Sequence, residues 1–549
     1  MILASSERIS EYTARGWWGR RRIQDCFDAA VRERHGALAL VDAPNRPDFT
    51  GGEPRRVTWR ELAIEVDRMA AAFAGLGVAK DDVVLVQLPN CVELPIAYLA
   101  CMRIGAIVTP VPAQFREHEL AHIAALARPR LALTAERIAK HRHADMLRAL
   151  AARVPELGRV VALGDAALLA PSAGGGPGPV EVDANEVATL CWTSGTEGVP
   201  KGVPRSHNEW LSIPENMILA GRLTPGCTLL NPFPLVNMAG IAGQFLPWLL
   251  TGGKLVLHHP FDLALFVAQL RDEGVDYSIA SPTTLTVLAQ NANLLAGLRL
   301  RALGSGGGSL PEWTVRVLAE RHGIDVTNYF GTNEGASLTA CSLDLPEPAQ
   351  RASYFPRFGA GAHEWKLPVS RRVRTRLVDP DSGEEIHAPG RPGELRVKGP
   401  AIFSGYWRSP EMTARAFDQD GWFRTGDLFE IAGGEGELYR FVGRLKDIIV
   451  RGSFNISSEE VESLLLEHPG VREAAVIGYP DERLGERVCA AVVARDGRPP
   501  TLEELSAFLR EERRVAVYKL PERLLLLDAL PRNALGKVLK RELRARLAR

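Results

Sequence analysis

From about residue 58 the sequence alternates short β-rich runs with stretches of helical periodicity, a pattern that restricts the chain to βαβ units and mainly parallel sheets. Residues 58–61, Thr-Trp-Arg-Glu, form a capping box, and the apolar Leu62, Val66, Met69 and Phe73 recur behind it at helical spacing. Residues 83–88, Val-Val-Leu-Val-Gln-Leu, then read as a buried strand, and the runs at 254–257 and 277–280 repeat the signal. No repeat of about 20 to 50 residues is present, which sets aside solenoids and propellers.

A chain of 549 residues with this pattern needs more than one core. Its character changes near residue 446, where a basic segment gives way to a second capping box, Ser-Ser-Glu-Glu at 457–460, and to further helix and strand signals. The expected organisation is α/β: a large N-terminal domain of mainly parallel sheets flanked by helices over residues 1–445, and a small C-terminal domain over 446–549. Residues 171–179 are too rich in Gly and Pro for a regular element and read as an exposed loop.

Lys plus Arg equals Asp plus Glu at 66 each, so no global field draws the chain to nucleic acid or to an anionic membrane, and any anion site must be local. The seven cysteines are scattered and form no C-x-x-C pair, which argues against a disulfide framework and a zinc site and leads us to expect a reducing cytoplasm. Glu7 and Arg8 interrupt the start of the chain before an apolar signal region forms, and no run of about 18 apolar residues offers a membrane span.

The segment richest in chemistry is 193–202, Thr-Ser-Gly-Thr-Glu-Gly-Val-Pro-Lys-Gly, which follows a strand-like run. Its glycines let backbone N–H groups converge on an anion, its hydroxyls donate further bonds and Lys201 adds positive charge, as a polyphosphate requires. It lacks the spacing of a Walker A loop, so kinase-type and motor ATPases lose support. Taken alone, the segment also reads as a Gly/Ser-rich surface turn.

Five further segments follow in order: Gly-Ser-Gly-Gly-Gly at 304–308, Tyr-Phe-Gly-Thr-Asn-Glu at 329–334, Gly-Trp-Phe-Arg-Thr-Gly-Asp at 421–427, Gly-Arg-Leu-Lys-Asp at 443–447 and Pro-Arg-Asn-Ala-Leu-Gly-Lys at 531–537. Together with 193–202 they resemble the ordered motifs of the ANL superfamily of acyl-CoA synthetases, nonribosomal peptide adenylation domains and luciferases, from about residue 58 to 545. The resemblance implies the ANL fold, with a small mobile C-terminal α+β domain, and an enzyme that uses ATP and Mg²⁺ to activate a carboxylic acid as acyl-AMP. The acyl group then passes to coenzyme A or to the phosphopantetheine of a carrier protein.

Site residues follow by the same resemblance. Thr193, Ser194, Gly195, Thr196, Gly198 and Lys201 would cradle the phosphates; Gly306, Gly307, Asn328, Tyr329, Phe330, Gly331 and Thr332 would surround the nucleotide. Phe330 offers a flat apolar face for adenine, although a Phe is more often core packing. Glu334 would hold Mg²⁺ against the phosphates, since a hard cation wants a carboxylate plus substrate oxygens. Asp427 would accept hydrogen bonds from the ribose hydroxyls beside Gly426, and Arg444 would bind ribose or phosphate with its fork. Lys537 would bridge the attacking carboxylate and the α-phosphate. Lys446 and Asp447 occupy the hinge, and Gly452 would leave room for a pantetheine arm in the thiol step.

Two departures stand out. Glu197 replaces a hydroxyl residue in the phosphate loop, where an acid would repel polyphosphate, so it is expected to point outward. Asn237 stands where many relatives carry a histidine beside the acyl pocket, which Gly240 and Gly308 would also line; it can bond a polar acid or satisfy backbone groups. Residues 205–208, Arg-Ser-His-Asn, resemble aryl-acid AMP ligases, whereas 519–523 and 528–532 resemble acyl-CoA ligases for alicyclic, medium-chain or aromatic acids. His207 is expected to be a loop or cap residue, since a carboxylate nucleophile needs no base. The expected partners are a small carboxylic acid, ATP and coenzyme A or an acyl carrier protein, with no nucleic acid, in a monomer or homodimer; a non-catalytic nucleotide-binding relative is the remote alternative. The basic run at 540–546 reads as a solvated helix face, and Trp17 and Trp18 as packing onto the large domain.

Overall fold

Thr58 caps a helix, Trp59–Gly75: its hydroxyl accepts from the Glu61 N–H at 3.3 Å, and the Glu61 carboxylate accepts from the Thr58 N–H at 2.8 Å. Leu62, Val66, Met69 and Phe73 fall on one face of it and are buried. The computed structural model describes residues 1–169, 180–193, 200–307, 310–361, 363–380, 382–445, 448–452, 454–495, 498–531 and 538–547.

The chain divides into two compact units. One comprises Met1–Ala113, Ala124–Trp192 and Gly202–Gly443; the other comprises Gln114–Ile123, Thr193–Lys201 and Arg444–Arg549. In the first unit, the strands Arg159–Ala162, Leu131–Thr134, Val83–Gln87, Ile107–Pro110, Val187–Thr193 and Lys201–Ser206 lie side by side in that order, and the first five pair in parallel. Val83–Gln87 is buried throughout, as a central strand with helices on both faces must be.

A second, eight-stranded sheet runs Ser337–Ala340, Asp325–Gly331, Ala302–Gly306, Tyr277–Ile279, Thr228–Asn231, Lys254–Leu257, Leu38–Val41 and Arg56–Thr58, parallel inside and antiparallel at both edges. The third sheet is the antiparallel part of a domain whose other two sheets are mainly parallel, as expected. It joins Tyr354–Pro356, Leu438–Arg444, Phe423–Ala432, Gly393–Lys398, Arg374–Val378 and Glu385–Ile386, and the pairings registered in it are antiparallel. Antiparallel neighbours need no crossover helix, although the connection from Gly393–Lys398 to Phe423–Ala432 carries the helix Pro410–Ala416.

In the second unit, Val471–Asp481 and Gly485–Ala494 pair antiparallel and send alternate residues to opposite faces. Val476, Val488 and Val492 join Ile449, Val461 and Leu465 on one face; Ile477, Cys489 and Val493 meet Leu530 and Leu543 on the other. Lys519 is buried in the same unit, with its ammonium 3.2 Å from Glu119 and 2.8 Å from Glu460. The helix Lys540–Leu547 forms, but Lys540 is not merely solvated: it donates to the Ser458 hydroxyl and pairs with Glu462 at 2.7 Å.

All seven cysteines are free and buried. Burial pushes the Cys26, Cys341 and Cys489 thiols up to about 11 and that of Cys191 to about 12. Among the described residues no helix is long and apolar enough to cross a membrane.

Candidate active site

Two neighbouring parallel strands of the first unit, Ala302–Gly306 and Asp325–Gly331, end side by side, with Gly306 paired to Tyr329. Ligands of α/β sheets bind at such carboxyl ends. A Cβ on Gly306 would run into the carbonyl oxygen of Tyr329, and Gly307 turns at φ +76°. Asn328 is buried, and its amide donates to the carbonyls of Arg351 and Ala352, each at 3.1 Å. The Tyr329 hydroxyl meets that of Tyr277 at 3.2 Å, and burial raises both phenols above their ordinary range. Tyr277 was not singled out in the sequence; it reaches this corner because Gly304 has no side chain, a Cβ there lying only 2.7 Å from the Tyr277 hydroxyl.

Phe330 is half-buried. One side of its ring belongs to an aromatic cluster, edge-on to Phe429 with centroids 5.0 Å apart and 6.4 Å from Phe441. Asp427 sits on Phe423–Ala432 and is 6% exposed; Gly426 before it adopts φ +72°, and its N–H donates to Glu394 at 3.2 Å.

The turn after Gly331 is held from every side. The Glu334 carbonyl accepts from the Phe403 N–H at 2.8 Å, and its carboxylate accepts from the Tyr406 hydroxyl at 2.9 Å. Burial, then the Glu334 charge, raises the Tyr406 phenol far above its ordinary range, so the hydroxyl keeps its proton. Gly335 takes φ +102°, where a Cβ would collide with the carbonyl of Ala401. Asn333 accepts on its side-chain oxygen from the Met238 N–H and on its main-chain oxygen from Arg205, both at 2.8 Å.

Arg205 is fully buried on Lys201–Ser206, lies over the Trp210 ring at 4.4 Å and donates to the Glu209 carbonyl at 3.0 Å. Burial lowers its pKa to about 10, which still leaves it charged at neutral pH. The sequence marked this residue only as part of a motif; its partners are main-chain carbonyls, which no residue letter reveals.

The Thr332 hydroxyl is buried and has no partner among the described residues. With the Glu334 carboxylate in the same turn it offers oxygen donors of the kind a hard divalent cation takes. Among the described residues no group of three His, Cys, Asp or Glu side chains converges, so a cation here would complete its shell with phosphate oxygens and water.

Asn237 uses its side-chain oxygen to cap the helix Met238–Gly240, accepting from the Gly240 N–H at 3.2 Å, so backbone satisfaction is the role it fills here. A Cβ on Gly240 would strike the Pro234 carbonyl. His207 is 2% exposed, its Nδ1 accepts from the Ile23 N–H at 3.3 Å, and burial lowers its pKa to about 4, as befits a structural residue.

Thr193 closes the strand Val187–Thr193 and Lys201 opens Lys201–Ser206, both half-buried. Arg444 ends the strand Leu438–Arg444. Gly452 turns between Ile448–Arg451 and Phe454–Ser457 at φ +60°; it is exposed, and among the described residues a Cβ would meet only Leu484, at 3.8 Å. Ser194, Gly195, Thr196, Glu197, Gly198, Gly308, Lys446, Asp447, Lys537 and the loop at 171–179 lie outside the described residues.

Comparison with known proteins bears on this arrangement. Residues 27–407 match the AMP-binding enzyme family, and residues 460–537 match the AMP-binding enzyme C-terminal domain. The chain is 30% identical over 561 residues to the medium-chain fatty-acid–CoA ligase of Escherichia coli, covering 99% of this chain and 94% of the relative. It is 32% identical over 552 residues to the salicyl-AMP ligase / salicyl-S-ArCP synthetase of Mycobacterium tuberculosis, covering 98% and 92%. The structure of the amide bond synthetase McbA from Marinactinospora thermotolerans superposes with a TM-score of 0.80 at 28% identity, covering 96% of this chain and 99% of that one.

Proposed function

The chain belongs to the AMP-binding enzymes of the ANL superfamily, and from that premise we propose that it activates a carboxylic acid with ATP and transfers the acyl group to coenzyme A. The observation that carries the reading is similarity along nearly the whole chain to a ligase of this kind, joined to a buried Glu334 fixed in the same turn as the Thr332 hydroxyl, which has no partner among the described residues.

In the first half-reaction an oxygen of the acid attacks the α-phosphorus, the bond to the bridging oxygen of the β-phosphate breaks, and pyrophosphate leaves. In the second, the thiolate sulfur attacks the acyl carbon and AMP departs. Lys537 supplies positive charge to the meeting anions of the first step. The segment containing Thr193, Ser194, Gly195, Thr196, Gly198 and Lys201 takes the phosphates, the half-buried face of Phe330 takes adenine, and Asp427 and Arg444 take ribose. Mg²⁺ would be held by Glu334, with Thr332 in the same turn, and when bound it supplies charge against the phosphate oxygens.

The chain works as a large domain over 1–445 and a small one over 446–549 that turns about Lys446 and Asp447 between the two steps, with Gly452 serving the thiol. It acts in the cytoplasm, as a monomer or homodimer.

A second reading has its own support: the relative that loads a carrier protein is as similar as the coenzyme A ligase. Acid-dependent pyrophosphate release over medium-chain, alicyclic, aromatic and hydroxyaryl acids, with and without coenzyme A and with product masses recorded, separates the two. An acyl-CoA mass with faster turnover is expected. Acyl-AMP that accumulates regardless of coenzyme A would transfer the assignment to a carrier protein, and silence across the panel would overturn acid activation itself.

A further inference from the structure

We propose that Arg8, on the N-terminal helix Ser6–Ala14, is a positioning residue for the first half-reaction: by fixing the main chain at 402–404 it holds Glu334 in place and sets how tightly the enzyme takes a divalent cation with ATP. The inference rests on Glu334 being the carboxylate that faces the metal. The family match begins at residue 27, so this arm lies outside it, and nothing in the reading above gives the arm a task.

The Arg8 guanidinium donates to the Phe403 carbonyl and the Ser404 hydroxyl, each at 3.2 Å, and to the Ile402 carbonyl. It lies 5.1 Å from the Trp18 ring and 5.5 Å from that of Tyr12, and 3.7 Å from the Glu209 carboxylate. Trp18, 3% exposed, donates from its indole to the Pro400 carbonyl at 3.1 Å. The arm thus grips 400–404 at four acceptors. That segment in turn holds Glu334 through the Phe403 N–H on its carbonyl, and Tyr406, two residues beyond it, donates its hydroxyl to the Glu334 carboxylate. The Ser404 hydroxyl also donates to Glu209 at 2.8 Å, and Arg205 beside Glu209 holds Asn333.

Planar, multi-donor contact is what a guanidinium supplies and an ammonium does not. The Arg8 side chain is 20% exposed, so water can reach the acceptors it would vacate. Losing it should therefore spare the fold while loosening the turn, and small misplacements of a catalytic group are costly.

The test compares the full chain carrying Arg8→Ala, Arg8→Lys, Glu334→Gln or Arg15→Ala. Arg15 lies just beyond the same helix, and its side chain pairs with Glu11 and stacks on Trp17. Three readouts are needed: Mn²⁺ affinity with ATP present, by electron paramagnetic resonance; the Michaelis constant for the acid; and the melting temperature. Arg8→Ala should weaken Mn²⁺ binding about tenfold and leave the acid constant within about twofold. Arg8→Lys should fall between it and the parent, and Arg15→Ala should match the parent.

Parent-like Mn²⁺ affinity in Arg8→Ala, or an equal loss in Arg15→Ala, would overturn the proposal while weakened binding in Glu334→Gln kept the reading of the site. Unchanged binding in Glu334→Gln would sink both. Should Arg8→Ala fail to fold, Arg8→Lys carries the decision, and parent-like affinity in it would count as refutation.

Discussion

The turn at Glu334 and the hairpin at Gly452 are both built around a glycine with positive φ, yet they are opposite kinds of structure. Gly335 is jammed against the Ala401 carbonyl, and the carboxylate before it is bonded at main chain and side chain alike. Gly452 is exposed, and among the described residues a single methyl group lies near the place a side chain would occupy. A group that must meet developing charge gains from being fixed before the reaction begins, whereas a passage for a flexible thiol arm needs room. Under the proposed roles of the two segments, the contrast would tie rigidity to acid activation and open space to acyl transfer.

The sharpest way to break this comparison is Glu334→Gln. Pyrophosphate release should fall by about 10²–10³-fold, while acyl transfer from preformed acyl-AMP changes much less; equal losses in both would dissolve the contrast. Gly335→Ala comes next. A methyl group has neither the backbone conformation nor the space it needs, so chemical denaturation should reveal a loss of about 3 kcal/mol, and an unchanged midpoint would mean the turn is softer than drawn. Gly452→Leu should act in the opposite sense, slowing thioester formation about thirtyfold with pyrophosphate release within about twofold; retained transfer would remove the thiol from this hairpin.

The smallest effect is on pH. His207 neighbours Arg205 in the packing that steadies the Glu334 turn, and its pKa is lowered to about 4 in the folded chain. A depressed value contributes stability that is present above the ordinary histidine pKa and lost as pH falls toward the folded one. Between pH 7 and 5.5 the linkage amounts to about 1 kcal/mol, so wild-type should lose that much more stability than His207→Gln over the same interval. Parallel pH profiles would show that the imidazole is not the group responsible.

What the sequence revealed and what it hid have a common physical cause. Helix Trp59–Gly75 was legible because its cap and its apolar face are encoded within a few residues of each other. Glu334, Asp427 and Phe330 could be proposed from the sequence because each sits in a short motif. Asn237 was ambiguous because the letter does not say that its oxygen would be spent on the Gly240 N–H. Arg8 was invisible for a different reason: its partners at 402–404 are almost four hundred positions away, and two of them are carbonyls that any residue could supply. Likewise the antiparallel sheet escaped notice because a helix between two strands, here Pro410–Ala416 between Gly393–Lys398 and Phe423–Ala432, does not say whether they pair in parallel or antiparallel.

The chain's sulfur chemistry has a practical bearing on testing domain rotation. With every native thiol buried and several held near 11 or 12, a maleimide at neutral pH meets almost no thiolate on the folded protein. A cysteine introduced at Val517, which is 71% exposed, would stand out against that silent background. A fluorophore attached there, paired with a second on the large unit, would report distance changes during turnover without the native cysteines first having to be removed.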